Sequence, residues 1–180
     1  AFAFPRLRLV LEHVTSERGV VCIERLPENV AATITLHHMV LTIDDVIGGM
    51  LKPHHFCKPV AKRPEDRAAL IRAATSGNPK FFLGTDSAPH PRGAKECDSG
   101  CAGVFTAPVA IPVGISVFTQ AGRMDRLESF YSRFGAEHYQ LPLNQRQVEY
   151  RRQTWAVPAS YFRSEVVPLW AGRQINWRLA

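Results

Sequence analysis

Short runs of apolar and β-branched residues recur along the first half of the chain and predict buried strands. Leucines alternate with polar residues in RLRLVLE, whereas ATITL and KFFLGTD are mostly apolar or β-branched. These segments predict strands at 6 to 12, 32 to 36 and 80 to 86. A further short strand is predicted through His55 to Cys57, because the surrounding segment is too rich in glycine and proline for a helix.

Helical patterns separate the predicted strands. Thr15 or Ser16 is expected to cap a short helix that ends before Pro27. Pro64 stands at the start of a clearer helix, which stops near Gly77. The first half of the chain therefore alternates between strand and helix.

The second half is more helical and then irregular. A helix is predicted over 106 to 122, and another from Met124 to Gly135. Asp125 and Glu128 have the spacing of a capping box at the start of the latter. Beyond it, short apolar pieces broken by proline and glycine predict irregular structure with one or two short strands.

Strands that alternate with helices favour an α/β fold built on a parallel sheet. In such folds the loops after the strands converge at one edge of the sheet and carry the chemistry. The residues that follow the predicted strands are polar and able to bind metals or protons: His13, His37, His38 and Asp86. This edge is the first place to expect a functional site.

Composition bounds the class of protein. The 180 residues are 46% hydrophobic, enough for one domain with a sizeable core. The net charge of +6 comes from scattered Lys and Arg, which favours a solvated surface over a nucleic-acid interface. The four cysteines are too dispersed for a disulfide framework, and no apolar run reaches the roughly 18 residues of a membrane helix. We therefore expect a soluble, cytoplasmic protein with reduced thiols.

Several chemical roles are open to the polar residues at the strand ends. Asp86 could bind a metal, shuttle a proton or cap the next turn. His13 is either a zinc-ligand candidate or a structural histidine. His90, fixed between two prolines, could meet an anionic group or lie free in its loop. The segment SGCAG, from 99 to 103, offers backbone donors and room for a ligand.

Two pairs of adjacent histidines are expected either to have structural roles or to support metal ligands without binding the metal themselves. They are His37 with His38 and His54 with His55. Adjacent side chains of a strand point to opposite faces, so neither pair is expected to chelate one ion.

Seven motifs carry a resemblance to a known family. They are LEHVTS, ATIT followed by HHM, GGMLKPHHFCKPV, FFLGTDSAPHPRGAKE, GCAG, LESFYSRFGAEHYQLP and VVPLWAG. In this order they resemble the dihydroorotases that occur as separate enzymes in many bacteria and fungi, within the amidohydrolase superfamily. The resemblance covers nearly the whole chain. It implies the C-terminal half of a (β/α)8 barrel of the metallo-dependent hydrolase type.

The resemblance also implies a zinc site and a substrate. Members of the family interconvert dihydroorotate and N-carbamoyl-L-aspartate with two zinc ions at the mouth of the barrel. By position, His13 resembles a ligand of the second zinc, and Asp86 resembles the ligand of the first zinc that also transfers the proton. His90 and the backbone of Ala102 would hold the substrate carboxylate. The backbone of Lys58 would face the pyrimidine ring, although many relatives carry an apolar residue there.

Residues 1 to 180 match one partial domain, which resembles strands five to eight of the barrel and the C-terminal tail. In the family the first half supplies a His-x-His pair, a carbamylated lysine that bridges the zincs, a further histidine, an arginine and an asparagine. The chain is therefore expected to need an N-terminal half, in cis or in trans, for activity. The alternative is an inactive half-barrel that acts as a binding or structural partner, or pairs with its own copy.

Overall fold

A three-stranded parallel sheet forms the centre of the computed structural model, which describes residues 1–163 and 165–180. The strands are β1 (Leu9–Leu11), β2 (Val30–Ile34) and β3 (Phe81–Leu83), and they lie in the order β1-β2-β3. All five residues of β2 are buried, as expected for a parallel strand covered on both faces. The predicted parallel α/β sheet is confirmed.

Helices cover the sheet between the strands. α1 (Glu17–Arg25) follows β1, and the Ser16 side chain caps it by accepting a hydrogen bond from the Gly19 N–H. α2 (Leu36–Val40), α3 (Asp44–Ile47) and α4 (Pro64–Thr75) follow β2. The Ser16 cap and the Pro64 start agree with the sequence.

The remainder of the chain is helical and then forms an antiparallel pair of strands. The helices are α5 (Arg92–Lys95), α6 (Ala110–Gln120) and α7 (Phe134–Tyr139), and the strands are β4 (Tyr150–Ala156) and β5 (Gln174–Leu179). Three 3₁₀ turns, at Pro53–His55, Ala107–Val109 and Met124–Arg126, and a π-helical turn at Ser129–Arg133 connect these elements.

The predicted strand through His55 to Cys57 is wrong. Pro53 opens a 3₁₀ turn there, which the Phe56 N–H closes by donating to the Pro53 carbonyl at 3.1 Å. Proline fixes the φ angle that such a turn needs and has no N–H for a strand ladder. This segment is therefore a folded loop beside the sheet.

The predicted helix from Met124 to Gly135 is also partly wrong. It is split into three helical pieces, and its start has no side-chain cap from Asp125. Gly135 lies inside α7, where a Cβ atom would approach Phe82 to 3.1 Å. The glycine thus allows the helix to pack closely on β3, and it does not end the helix.

The fourth barrel strand that the resemblance implies is reduced to isolated bridges. Ser87 pairs with Val104 in parallel, and Phe105 pairs with Pro168 in parallel. These bridges continue the parallel direction of the sheet beyond β3. They bring the segment after Gly103 beside the loop that carries Asp86.

Candidate functional site

Thr33, near the end of β2, holds the loop that carries His13. The His13 N–H donates to the Thr33 hydroxyl at 2.7 Å, and the Val14 N–H donates to the Thr33 carbonyl at 2.9 Å. The same hydroxyl donates to the Glu12 carboxylate at 3.2 Å. Because Thr33 is itself buried, the path of the chain after β1 is fixed by the middle strand.

Thr33 also contacts the loop that carries Asp86. A Cβ atom on Gly84 would lie 2.5 Å from the Thr33 Cβ, which is closer than such atoms can approach. Only glycine therefore lets the chain leave β3 so near to β2. One buried side chain thus positions the loops of both candidate metal ligands.

His13 and Asp86 share an uncommon backbone conformation. Their φ angles are 42° and 39°, in the left-handed region that side-chain-bearing residues rarely adopt. Such a conformation costs on the order of 1–3 kcal/mol and is concentrated at active sites and ligand clamps. Six of the described non-glycine residues have such φ angles, and two of them, His13 and Asp86, follow the ends of β1 and β3.

The side chains of both residues are suited to binding a metal ion. Nδ1 of His13 is buried and has no hydrogen-bond partner in the part of the chain that is described. The Asp86 carboxylate is exposed to solvent. Divalent cations would satisfy the first group and bind the second, so the chemistry of both residues fits metal binding.

His37, His38 and Cys57 form a buried cluster at the same edge of the sheet. Their ligand atoms lie within 4.8 Å of one another. The Nδ1 atom of His38 lies 2.7 Å from the Thr35 hydroxyl, and its Nε2 atom lies 2.8 Å from the Pro59 carbonyl. Both ring nitrogens of His37 are buried without a partner among residues 1–163 and 165–180.

His37 and His38 do not point to opposite faces of a strand, so the geometry predicted for this pair is wrong. His37 and His38 lie in α2, and their ring centroids are 4.4 Å apart because residues of a helical turn do not alternate as strand residues do. The other pair has the expected structural roles. His54 contacts the Glu96 carboxylate at 2.7 Å, and His55 contacts the Asp45 carbonyl at 2.8 Å.

Burial keeps the cluster uncharged at neutral pH. It lowers the pKa of His37 to about 3, and the repulsion that His38 and His13 would exert if protonated acts in the same direction. It lowers the pKa of His38 to about 4, against the opposing effect of the hydrogen bond to Pro59. It raises the pKa of the Cys57 thiol to about 11, and the Asp86 carboxylate adds to this rise.

His13 lies close enough to the two histidines, and Asp86 close enough to Cys57, for a charge on either residue to affect the pKa values of the cluster. Both nitrogens of His38 already contact protein groups, so the cluster as it stands leaves only His37 and Cys57 free to bind a metal. A zinc site takes three or four protein ligands, so the cluster is not a complete one. His13 and Asp86 lie outside the three-residue group.

The predicted substrate-binding positions converge at one place beside Asp86. The Gly103 N–H donates to the Phe56 carbonyl at 2.9 Å, which joins the loop of Ala102 to the segment before Lys58. A Cβ atom on Gly103 would lie 2.9 Å from Cδ2 of His90. The loops of Lys58, His90 and Ala102 therefore pack against one another.

Sequence reasoning missed two residues that organise this region. Thr33 was an ordinary member of a predicted strand, and Lys95 resembled any surface lysine. In the structure Lys95 is 3% exposed, and its ammonium group bonds three backbone carbonyls. Only the proximity of Lys95 to the SGCAG segment hinted at a role.

A cleft of about 900 Å³ lies away from these residues. Asn29 and Pro79 line it, together with Arg8 and His138. Asn29 and Pro79 precede β2 and β3, so the cleft lies at the opposite end of the strands from His13 and Asp86. It is not part of the candidate site.

The chain is similar in sequence and in structure to dihydroorotases. No protein-family model matches the chain. A dihydroorotase from Methylobacillus flagellatus is 50% identical over 178 residues, which are 98% of this chain and 52% of that protein. A crystal structure of dihydroorotase from Saccharomyces cerevisiae, in complex with 5-fluoroorotic acid, has a TM-score of 0.91 at 36% identity and aligns with 99% of this chain and 53% of its own.

A dihydroorotase structure from Campylobacter jejuni has a TM-score of 0.90 at 42% identity, with 100% of this chain and 53% of that chain aligned. The fold is half of a (β/α)8 barrel of the metallo-dependent hydrolase type. Among the described residues, no helix is both long and apolar enough to cross a membrane. The chain is similar to dihydroorotases over nearly its whole length and spans about half the length of the relatives it matches.

Proposed function

We propose that this chain forms the C-terminal half of a zinc-dependent dihydroorotase, which interconverts dihydroorotate and N-carbamoyl-L-aspartate in pyrimidine synthesis. The observation that carries the proposal is the shared geometry of His13 and Asp86. Both follow parallel strands at one edge of the sheet, and both have φ angles in the left-handed region. The buried Nδ1 of His13 and the exposed carboxylate of Asp86 are available to a metal.

His13 would bind one zinc ion and Asp86 the other. Bound zinc would supply a Lewis acid for the ring amide and would lower the pKa of water. The Asp86 carboxylate would accept the proton of the attacking water and pass it to the ring nitrogen as the C–N bond breaks. An exposed carboxylate at the end of a rigid strand is suited to both proton transfers, because water and substrate can reach it.

The convergence of three loops supports the proposed substrate contacts. His90 and the backbone N–H of Ala102 would bind the carboxylate of the substrate. The backbone at Lys58 would face the pyrimidine ring, and its exposed side chain would extend into solvent. These roles use one charged or polar side chain and two backbone groups, so they do not depend on the identity of the residue at 58.

An N-terminal half would complete the barrel against the free side of β1. Within the described residues, β1 pairs only with β2, so its outer edge can accept another strand. Large apolar side chains near this edge are exposed, with Phe2 at 77%, Phe4 at 67% and Leu11 at 48%. A second half, in the same or another polypeptide, would cover them.

The test is to produce this chain together with the N-terminal half of the Methylobacillus flagellatus relative. We expect dihydroorotate turnover and stoichiometric zinc in the assembled protein, and little bound zinc and poor solubility in the chain alone. Asp86→Asn should lower kcat by roughly 10²–10⁴-fold, the range for loss of a general acid or base. Asp125→Asn, at an exposed ion pair with Arg126, is the matched control.

Two results would contradict the proposal. One is full turnover by the Asp86→Asn protein, and the other is tight stoichiometric zinc in the isolated chain. An assembled barrel that binds zinc but has no turnover would instead favour the inactive half-barrel.

A further inference from the structure

Lys95, at the end of α5, is a buried cation whose partners are backbone carbonyls. Its ammonium group donates to the carbonyls of Phe56 at 3.0 Å, Cys101 at 2.7 Å and Gly103 at 2.7 Å. An ammonium has three protons, so this arrangement uses all of them. Lysine is almost never this deeply buried unless its charge is compensated, which marks the arrangement as a specific one.

Two of these carbonyls flank Ala102. In a trans peptide the C=O and the N–H of one peptide plane point in opposite directions. Because the Cys101 carbonyl points at Lys95, the N–H of Ala102 in the same plane points away from it. That N–H has no backbone acceptor within residues 1–163 and 165–180. It is therefore a free donor with a fixed direction.

The charge of Lys95 also strengthens this donor. A cation on the carbonyl oxygen of a peptide withdraws electron density and makes the N–H of that peptide a stronger donor. The effect is largest where water is excluded, as it is around the buried ammonium. An anion would be the preferred acceptor for an N–H polarised in this way.

Lys95 further holds the loop in place. The Phe56 carbonyl that it contacts also accepts from the Gly103 N–H at 2.9 Å, so one oxygen joins the two loops. Gly103 has a φ of 147°, and a Cβ atom there would collide with Ala88 at 2.7 Å. The segment from 101 to 103 is thus pressed against the loop of His90.

We infer that Lys95 is a positioning residue for the carboxylate subsite: it directs and polarises the Ala102 N–H toward the substrate carboxylate without touching the substrate. This inference rests on the proposed function, because the subsite is defined by it. The assignment of Lys95 itself rests on the three carbonyl contacts and the peptide geometry.

A second lysine provides a matched control. Lys80 donates to the carbonyls of Ile23 at 3.2 Å and Glu24 at 3.5 Å, and to that of Leu26. These carbonyls belong to the C-terminal end of α1, and Lys80 precedes β3, at the opposite end of the sheet. Lys80→Met removes the same kind of contacts as Lys95→Met, but far from Ala102.

The experiment uses the chain assembled with the N-terminal half of the Methylobacillus flagellatus relative and labelled with ¹⁵N-alanine. The probe is 5-fluoroorotate, which carries a carboxylate, and its Kd is measured by calorimetry. Lys95→Met should raise this Kd and the KM for dihydroorotate roughly tenfold, the equivalent of one hydrogen bond, and change kcat less. Lys95→Met should also shift the Ala102 amide resonance. Lys80→Met should leave the Kd, the KM and the Ala102 resonance unchanged.

The inference is overturned if Lys95→Met and Lys80→Met bind 5-fluoroorotate equally, or if the Ala102 resonance does not move. If Lys95→Met does not fold, Lys95→Arg is used instead, because it keeps the charge but alters the donor geometry. An unchanged Ala102 resonance in Lys95→Arg would then also overturn the inference. If the wild-type assembly neither turns over dihydroorotate nor binds 5-fluoroorotate, the proposed function fails. The amide resonance still decides whether Lys95 orients Ala102.

Discussion

Acidification from pH 7 to pH 5 is expected to destabilise the protein through two buried histidines. His37 is fully buried and both of its ring nitrogens lack partners in the described chain, so its charged form is strongly disfavoured. Burial lowers its pKa from 6.5 to about 3 and that of His38 from 6.5 to about 4. Both rings remain neutral in the native state at pH values where the unfolded chain binds protons.

The sign and the size of the pH effect on stability follow from the difference between the native and unfolded pKa values of these histidines. A base whose pKa is lower in the native state favours unfolding as the pH falls below the unfolded value of 6.5. Each pH unit below that value lowers the free energy of unfolding by about 1.4 kcal/mol per ring. At pH 5 the loss is about 2 kcal/mol per ring, and about 4 kcal/mol for the two if they act independently. This is a large part of the roughly 5–15 kcal/mol that stabilises a domain.

The measurement is urea unfolding followed by tryptophan fluorescence at pH 7, 6 and 5, at low protein concentration and with a chelator present. The free energy of unfolding of the wild-type chain should fall by 3 to 4 kcal/mol, on the order of the value above. His37→Leu should remove about half of this pH dependence, whereas Met39→Leu, at an equally buried neighbour, should retain it. A wild-type change below about 1 kcal/mol, or the same slope in His37→Leu, would refute the reasoning.

Two further substitutions test packing around the site. Gly84→Ala places a Cβ atom 2.5 Å from that of Thr33 and should reduce the free energy of unfolding by roughly 1–3 kcal/mol, with a loss of activity in the assembled protein. Gly93→Ala places its new Cβ more than 4 Å from any atom beyond its chain neighbours and its own helix backbone, so it should change neither quantity. Equal effects of Gly84→Ala and Gly93→Ala would contradict the packing argument. Tyr131→Phe removes a buried hydrogen bond of 2.9 Å to the Ala110 carbonyl and should cost about 1–2 kcal/mol in thermal unfolding. A melting temperature unchanged from wild type would contradict this expectation.

The polar ends of the strands were predictable, because buried parallel strands have a simple signature. An apolar run that stops at His13 or Asp86 places that residue where the loops of the sheet converge, whatever the details of packing. The sheet and its order therefore follow from local pattern and from the rule that successive strands of α/β units lie side by side.

Other features depended on contacts that no local pattern contains. Gly135 resembles a helix stop in sequence, but its role is set by Phe82, which is distant along the chain. The burial of Lys95 results from three carbonyls in two separate loops. The position of His37 beside Cys57 depends on a single turn of helix after β2, which replaced the predicted end of a strand.

The order of the sheet has a consequence for how the chain folds. Leu9 pairs with Val30 and Ala32 pairs with Phe81, so every pairing in the parallel sheet joins strands that are consecutive in the chain. The second loop, 35 to 80, is about two and a half times as long as the first, 12 to 29, which adds about 0.8 kcal/mol of closure entropy. Pairing of β1 with β2 is thus favoured as the earlier event, and β3 would add to a preformed edge as it leaves the ribosome. A sheet assembled in chain order thus adds each new strand at the edge formed by the strand before it.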